Sequence, residues 1–284
     1  MKLTKTCESC LLSRVDLECS LAGASRDMAT QIHEECGQIL SDLWNSELLH
    51  PQIASVIHRH ACRRVGTPDP FRALKEEGNR QALAVCRRKR ADLASFRDRV
   101  LASVIANTFD YGVDEHTVTG DFSSFFDAEF PRGFAADDTD RILALCKNVV
   151  YLTDNCGEIV FDRLVVEFLK DQGSRITLAV RDAPILNDAT LADARALGFD
   201  HIVDNLTTTG GGAEIGLDLY KMPADLADAL GNCSIIISKG MANYESLSMY
   251  RDLPPVAYLM AVKCRPVADD VGFPVGSRIA LLRE

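Results

Sequence analysis

The sequence contains no apolar run approaching the ~20 residues that a membrane-spanning helix needs, so no membrane partner is expected. It has no excess of basic residues: 31 Lys and Arg against 41 Asp and Glu leave a net charge of −10. That sign argues against a nucleic-acid partner, because phosphate backbones are bound by positive surfaces. The basic cluster Arg87-Arg88-Lys89-Arg90 reads as a solvated helix face. The first seven residues, Met1 to Cys7, are too polar for a signal peptide, which predicts a cytoplasmic protein. No Walker A sequence, hydrolase elbow Gly-x-Ser-x-Gly, zinc helix His-Glu-x-x-His, internal repeat or low-complexity segment occurs.

What is present divides into two patterns. A chain of 284 residues holds one large domain or two modest ones. Apolar residues recur at helical spacing through Leu11–Leu21, Met28–Leu49, Ile53–Val65, Phe71–Leu93 and Leu101–Phe109. Residues 112–140, with Gly120, Pro131 and Gly133, read as short helices and loops. After Ile142 the period changes. Short β-rich runs at Val149–Thr153, Ile176–Val180, His201–Val203, Ile235–Ser238 and Val256–Val262 alternate with helical patterns at Ile159–Lys170, Leu191–Leu197 and Ala224–Leu230. Such alternation predicts an α/β fold: a mostly parallel sheet covered by helices on both faces. Arg278–Leu282 is expected to add an edge strand. The predicted organisation is a helical region over residues 1–140 and an α/β domain over residues 141–284.

The chemistry is expected at the carboxyl ends of these strands, where open α/β sheets bind ligands. Asp154 and Asn155 follow the first strong strand and precede a helix. The pair alone reads as a helix cap, yet a carboxylate beside an amide oxygen also suits a hard cation. Asp188, within Pro184-Ile-Leu-Asn187-Asp188, follows the next strand. Three oxygen donors then meet at one edge, as in Mg²⁺ or Mn²⁺ sites at phosphates. Lys239, before Gly240, offers either a point charge to a phosphate or a solvated turn. The loop Thr207–Gly216, rich in glycine, reads as a connector. Ten cysteines in a chain that needs no disulfides are best explained as core residues. Cys7-Glu-Ser-Cys10, with Cys264 as a third thiol, is a candidate second metal or redox site, though only part of a zinc ligand set.

Asp154-Asn155-x-Gly157-Glu158 with Phe161-Asp162, then Pro184-Ile-Leu-Asn187-Asp188-Ala-Thr190, then Ser238-Lys239-Gly240-x-x-Asn243-Tyr-Glu245, resemble the DUF89 family of metal-dependent damage-control phosphatases. Cys7-x-x-Cys10, Asp69-Pro70-Phe71, Lys75, Asn107-Thr-Phe-Asp110 and Lys263-Cys264 extend the resemblance over nearly the whole chain, most closely to the archaeal and bacterial branch with the cysteine pair. The resemblance implies a Rossmann-like three-layer α/β/α domain with an N-terminal helical bundle. It implies metal ligands at Asp154, Asn155 and Asp188, and a phosphate-binding lysine at Lys239. Asn107, Asp110, Asn243 and Glu245 are implied to line the cleft. It further implies hydrolysis of small phosphate esters (sugar phosphates, nucleotides or phosphopantetheine-like compounds) with Mn²⁺, Co²⁺, Ni²⁺ or Mg²⁺. Arg181-Asp182 stands where the family pattern is small and glycine-containing, and Cys156 where it is alanine or valine.

The expected reaction is metal-assisted phosphoryl transfer to water. Asp154 has no Asp-x-Asp partner, since Cys156 lies two residues on, so direct attack by water is preferred to an aspartyl-phosphate. Two other classes fit the residues: a non-enzymatic nucleotide- or phosphometabolite-binding protein, and a small-molecule methyltransferase. The latter lacks its glycine-rich loop, since the loop directly after the first strand holds only one glycine, Gly157.

Overall fold

A computed structural model describes residues 1–108 and 122–284. Five helices open the chain: α1 (Lys5–Leu21), α2 (Arg26–Leu43), α3 (His50–Val65), α4 (Arg72–Lys89) and α5 (Phe96–Ala106). Their starts follow local chemistry. The Ser25 hydroxyl accepts from Met28 N, 3.3 Å away, at the head of α2. Ser95 and Asp98 cap α5 reciprocally, Asp98 N donating to Ser95 Oγ at 3.1 Å and Ser95 N to Asp98 Oδ2 at 3.4 Å. Pro51 sits in the first turn of α3, where its missing N–H costs nothing. Helix α6 (Phe122–Glu129), strand β1 (Ala136–Asp137) and helix α7 (Thr139–Leu145) follow.

From there strands and helices alternate: β2 (Asn148–Leu152), α8 (Glu158–Asp171), β3 (Arg175–Val180), α9 (Leu191–Ala196), β4 (Asn205–Thr208), α10 (Ala224–Asn232), β5 (Ile235–Lys239), α11 (Gly240–Leu247), β6 (Val256–Ala261), α12 (Arg265–Val271) and β7 (Arg278–Arg283). Among the described residues the sheet has seven strands in the order β1-β7-β6-β5-β2-β3-β4. Every pairing is parallel except β6 with β7. Strand β2 is flanked by β3 on one side and β5 on the other, so the order reverses beside it and opens a crevice at the strands' carboxyl ends.

Alternate residues face opposite layers, as the pleat requires. Val149, Tyr151, Leu178, Val180, Ile235, Ile237 and Leu259 pack with α4, α5, α6 and α8. Val150, Leu152, Ile236, Tyr258 and Met260 pack with α10, α11 and α12. The expected α/β/α layering is therefore present. Helices α1–α3 hold a third core of their own, around Leu11, Val15, Ile32, Leu40, Ile53 and Ile57, which closes over Ile185, Leu186 and Ile215 from the loops above the sheet.

Residue 140, the expected boundary, falls inside α7, and α4–α6 pack against one face of the sheet. Two expectations change. The apolar stretch His201–Val203 is not a strand; Phe199–His201 is a 3₁₀ turn, and the strand is the more polar Asn205–Thr208. Strand β7 is not an edge, because β1 pairs beside it. Among the described residues no helix is long and apolar enough to cross a membrane.

Candidate active site

The loops after β2 and β3 are knitted together. Ala189 N donates to Asp154 O at 2.8 Å, Cys156 N to Asn187 O at 2.9 Å, and Asn155 and Asp188 form an antiparallel bridge. These bonds hold Asp154, Asn155 and Asp188 side by side on the wall of a cavity of about 530 Å³. Helices α1 and α3 and the segment after β6 supply its other walls. All three residues are at least 95% buried. The close fit extends to backbone: Gly240, at φ +71°, packs its Cα against the Asp154 carboxylate, and a Cβ there would collide with Oδ2.

The acids are crowded. Burial, followed by the like charges of Asp188 and Glu158, pushes the Asp154 carboxyl well above its usual range, with Lys263 and Arg181 opposing. Asp154 Oδ2 accepts from Asn155 Nδ2 at 2.9 Å and Asn107 Nδ2 at 3.1 Å. The Asn155 amide nitrogen is thus turned to Asp154, and its carbonyl oxygen remains the donor atom for a cation. Two carboxylates and an amide oxygen on one wall, carrying excess negative charge, fit a hard divalent ion. Among the described residues no group of three or more His, Cys, Asp and Glu side chains is arranged to hold a metal, so this mixed set is the candidate.

Lys239 is placed differently from its expected role. Its ammonium is fully buried beneath the cavity, bonded to Ser103 Oγ at 2.5 Å, Asp162 Oδ1 at 2.7 Å and Glu158 Oε1. Burial lowers its proton affinity, but Asp162 and Glu158 more than offset this, and the net shift is upward. It therefore stays charged, and it does not face the cavity. Lys263, just beyond β6, does, and its charge acts on Asp154. Asn107 and Asn243 are likewise anchors rather than cleft residues: Asn107 Nδ2 also donates to Glu158 Oε2 at 2.7 Å, and Asn243 Nδ2 donates to Thr153 O at 3.0 Å and Lys239 O at 2.8 Å. Glu245 does line the cavity, its Oε2 3.0 Å from His50 Nδ1. Asp110 lies outside the described residues.

Cys7, Cys10 and Cys264 line the same cavity without forming a metal-holding group. Cys7 Sγ sits 3.5 Å from the Thr4 N–H, and burial pushes the Cys264 thiol up to about 12. Sequence reasoning passed over Arg181, Glu158 and Asp162 as functional residues. A usable signal was present for the two acids, which lie four residues apart on the apolar face of α8 and so require a buried cation.

The chain matches the family profile described as the damage-control phosphatase ARMT1-like domain over residues 3–279. It belongs to that family. A "Damage-control phosphatase" of Archaeoglobus fulgidus is 38% identical over the full length of both chains. An uncharacterized protein of Methanocaldococcus jannaschii is 30% identical, over all of this chain and 96% of its own. The crystal structure of a DUF89 family protein from Pyrococcus horikoshii superposes with a TM-score of 0.91 at 23% identity, covering both chains completely, and so shares the fold. The DUF89 resemblance and the α/β architecture of the ARMT1-like family thus hold for this chain.

Proposed function

We propose that this chain is a metal-dependent phosphatase that hydrolyses small phosphorylated metabolites in metabolite damage control. The observation that carries the reading is the Asp154, Asn155 and Asp188 set on one cavity wall with Lys263 beside it. Family membership and the relatives' name as damage-control phosphatases support it over the methyltransferase alternative. Sugar phosphates, nucleotides and phosphopantetheine-like esters are the substrate classes considered, and a 530 Å³ cavity accommodates molecules of that size.

Asp154, Asn155 and Asp188 would hold Mn²⁺, Co²⁺, Ni²⁺ or Mg²⁺, which supplies Lewis-acid polarisation of a phosphoryl oxygen. Lys263 neutralises charge on the phosphoryl oxygens. The walls from α1 and α3 narrow access to bulk water, which strengthens both interactions. The His50–Glu245 pair on the same wall can exchange a proton with the leaving oxygen. The three thiols line the same cavity; if they bind a metal, Cys10→Ser will lower the metal content of the purified protein. The central test is release of phosphate from a generic aryl phosphate, with and without each divalent ion. Wild type should turn over only with metal, and Asp154→Ala should not. Equal release by both proteins would refute the metal site, and tight phosphate binding without metal-dependent turnover would favour the non-enzymatic binding protein.

A further inference from the structure

Arg181 heads the largest fully buried side chains of the described residues, at 1% exposure. Its guanidinium lies behind the acid pair rather than on the cavity wall. Nε donates to Asp188 Oδ2 at 2.5 Å, and Nη1 donates to Gly216 O at 2.5 Å and Asn243 Oδ1 at 3.2 Å. Among the described residues Nη2 has no hydrogen-bond partner, and it stands 3.6 Å from Asp154 Oδ1. One planar cation therefore spans both carboxylates of the metal set. A protein that needed only to gather a divalent ion would gain nothing from burying a positive charge against two of its three ligands, because like charges repel strongly where water is excluded.

The charge count gives the arrangement a purpose. Four buried carboxylates, Asp154, Asp188, Glu158 and Asp162, face three buried cations, Arg181, Lys239 and Lys263. Among the described residues, with every group counted as ionised, the cluster is one positive charge short, and a divalent ion leaves it one positive charge in excess. Without Arg181 it would be two short, and the same ion would leave it neutral. The Glu245–His50 pair stands on the cavity wall outside this cluster. Arg181 thus works against the metal alone and in favour of the metal together with an anion.

We propose that Arg181 is a built-in counter-cation that couples divalent-metal binding to phosphate binding. It holds the two acids together in the metal-free protein, weakens uptake of the metal alone, and leaves the loaded site with the positive charge that a phosphate dianion requires. This role rests on the metal-dependent reading above and makes Arg181 a positioning residue, since it touches neither cavity nor substrate.

The test is a Mn²⁺ titration, followed by the electron paramagnetic resonance of free Mn²⁺, with and without inorganic phosphate. Wild type should bind Mn²⁺ at least fivefold more tightly when phosphate is present. Arg181→Met should bind Mn²⁺ alone on the order of tenfold more tightly than wild type and lose most of the phosphate enhancement. Arg181→Lys, which keeps the charge but not the fork, should retain the enhancement. Weaker or unchanged Mn²⁺ binding in folded Arg181→Met overturns the proposal, as does equal weakening in both variants, which would mean that orientation and not charge is what Arg181 supplies. Should Arg181→Met fail to fold, wild type alone decides: absence of phosphate coupling in an enzyme that binds Mn²⁺ and hydrolyses aryl phosphate overturns the role of Arg181 and spares the metal reading. A wild type that takes up no Mn²⁺ overturns both.

Discussion

Lys239 ends β5 and Lys263 follows the neighbouring strand β6 at the same sheet edge, yet they stand in opposite settings. Lys239 continues the side of β5 that bears Ile235 and Ile237, which directs it under α5 and α8 to meet Ser103, Glu158 and Asp162. Lys263 lies two residues past its strand and reaches the cavity. The difference teaches that charge at a strand's carboxyl end is not by itself a ligand site; the face of the pleat decides whether a cation supports the floor or faces the cavity. The buried floor and the cavity wall are joined by Asn107, which bonds Glu158 below and Asp154 above.

The contrast can be broken by mutation. The largest effect is expected on the floor. Lys239→Met leaves Glu158 and Asp162 buried without their cation, and loss of one partner from a buried ion pair costs about 3–5 kcal/mol. Chemical denaturation should show that loss, and a Lys239→Met protein of normal stability but lost phosphate affinity would return Lys239 to the substrate. On the wall, Lys263→Ala should cost less stability than Lys239→Met, because Lys263 lines the cavity whereas Lys239 is sealed against Glu158 and Asp162. The kcat/KM of Lys263→Ala on an aryl phosphate should fall roughly 10²–10³-fold, as removal of one transition-state electrostatic contact does. A loss of folding instead would erase the distinction between the two lysines.

Smaller changes sharpen the picture. Tyr151 donates to Asp162 Oδ1 at 2.7 Å, and Asp162 Oδ2 already lacks a partner, so Tyr151→Phe should cost about 1 kcal/mol of stability. Activity per folded molecule should change little, and a hundredfold drop would bring Tyr151 into the chemistry. The smallest effect lies far from both layers, where Arg64 and His60 hydrogen-bond Glu35 and hold its carboxyl at about 2. An unfolded glutamate titrates near ~4.3. This depressed group adds stability that is fully present above that value and is lost as pH falls toward 2. Because the pair is solvent-exposed, the gap in melting temperature between wild type and Glu35→Gln should be small, widest above pH ~5 and closed near pH 2. A gap that widens with acid would contradict the assignment.

Much of this was legible in the sequence because β2, β3, β5 and β6 are short, near-continuous apolar runs and α8 has a clear helical period. Asp154, Asn155 and Asp188 could be placed at one edge because strand ends and loop lengths determine where loop residues emerge. Strand β4 was missed because Asn205-Leu-Thr-Thr208 carries little hydrophobic signal, while the more apolar His201-Ile-Val203 nearby drew the assignment. Roles that depend on side-chain direction were harder. The period of two along β5 was enough to put Lys239 beside Ile237, but only the position of α8 shows that two acids wait there. Arg181 was visible as a departure from the family pattern, and only the folded loops reveal that it spans the carboxylates of Asp154 and Asp188.

The sheet's outermost strands are also its shortest, β1 with two residues and β4 with four. A strand of that length presents few unpaired N–H and C=O groups to another chain, and three of the four β4 residues are polar as well. The longer apolar strands β5, β6 and β7 are hydrogen-bonded on both sides. The price of a parallel sheet, slow assembly with exposed edges, is thereby confined to the interval before β1 and β4 dock. Once complete, the fold offers little template for sheet-to-sheet aggregation.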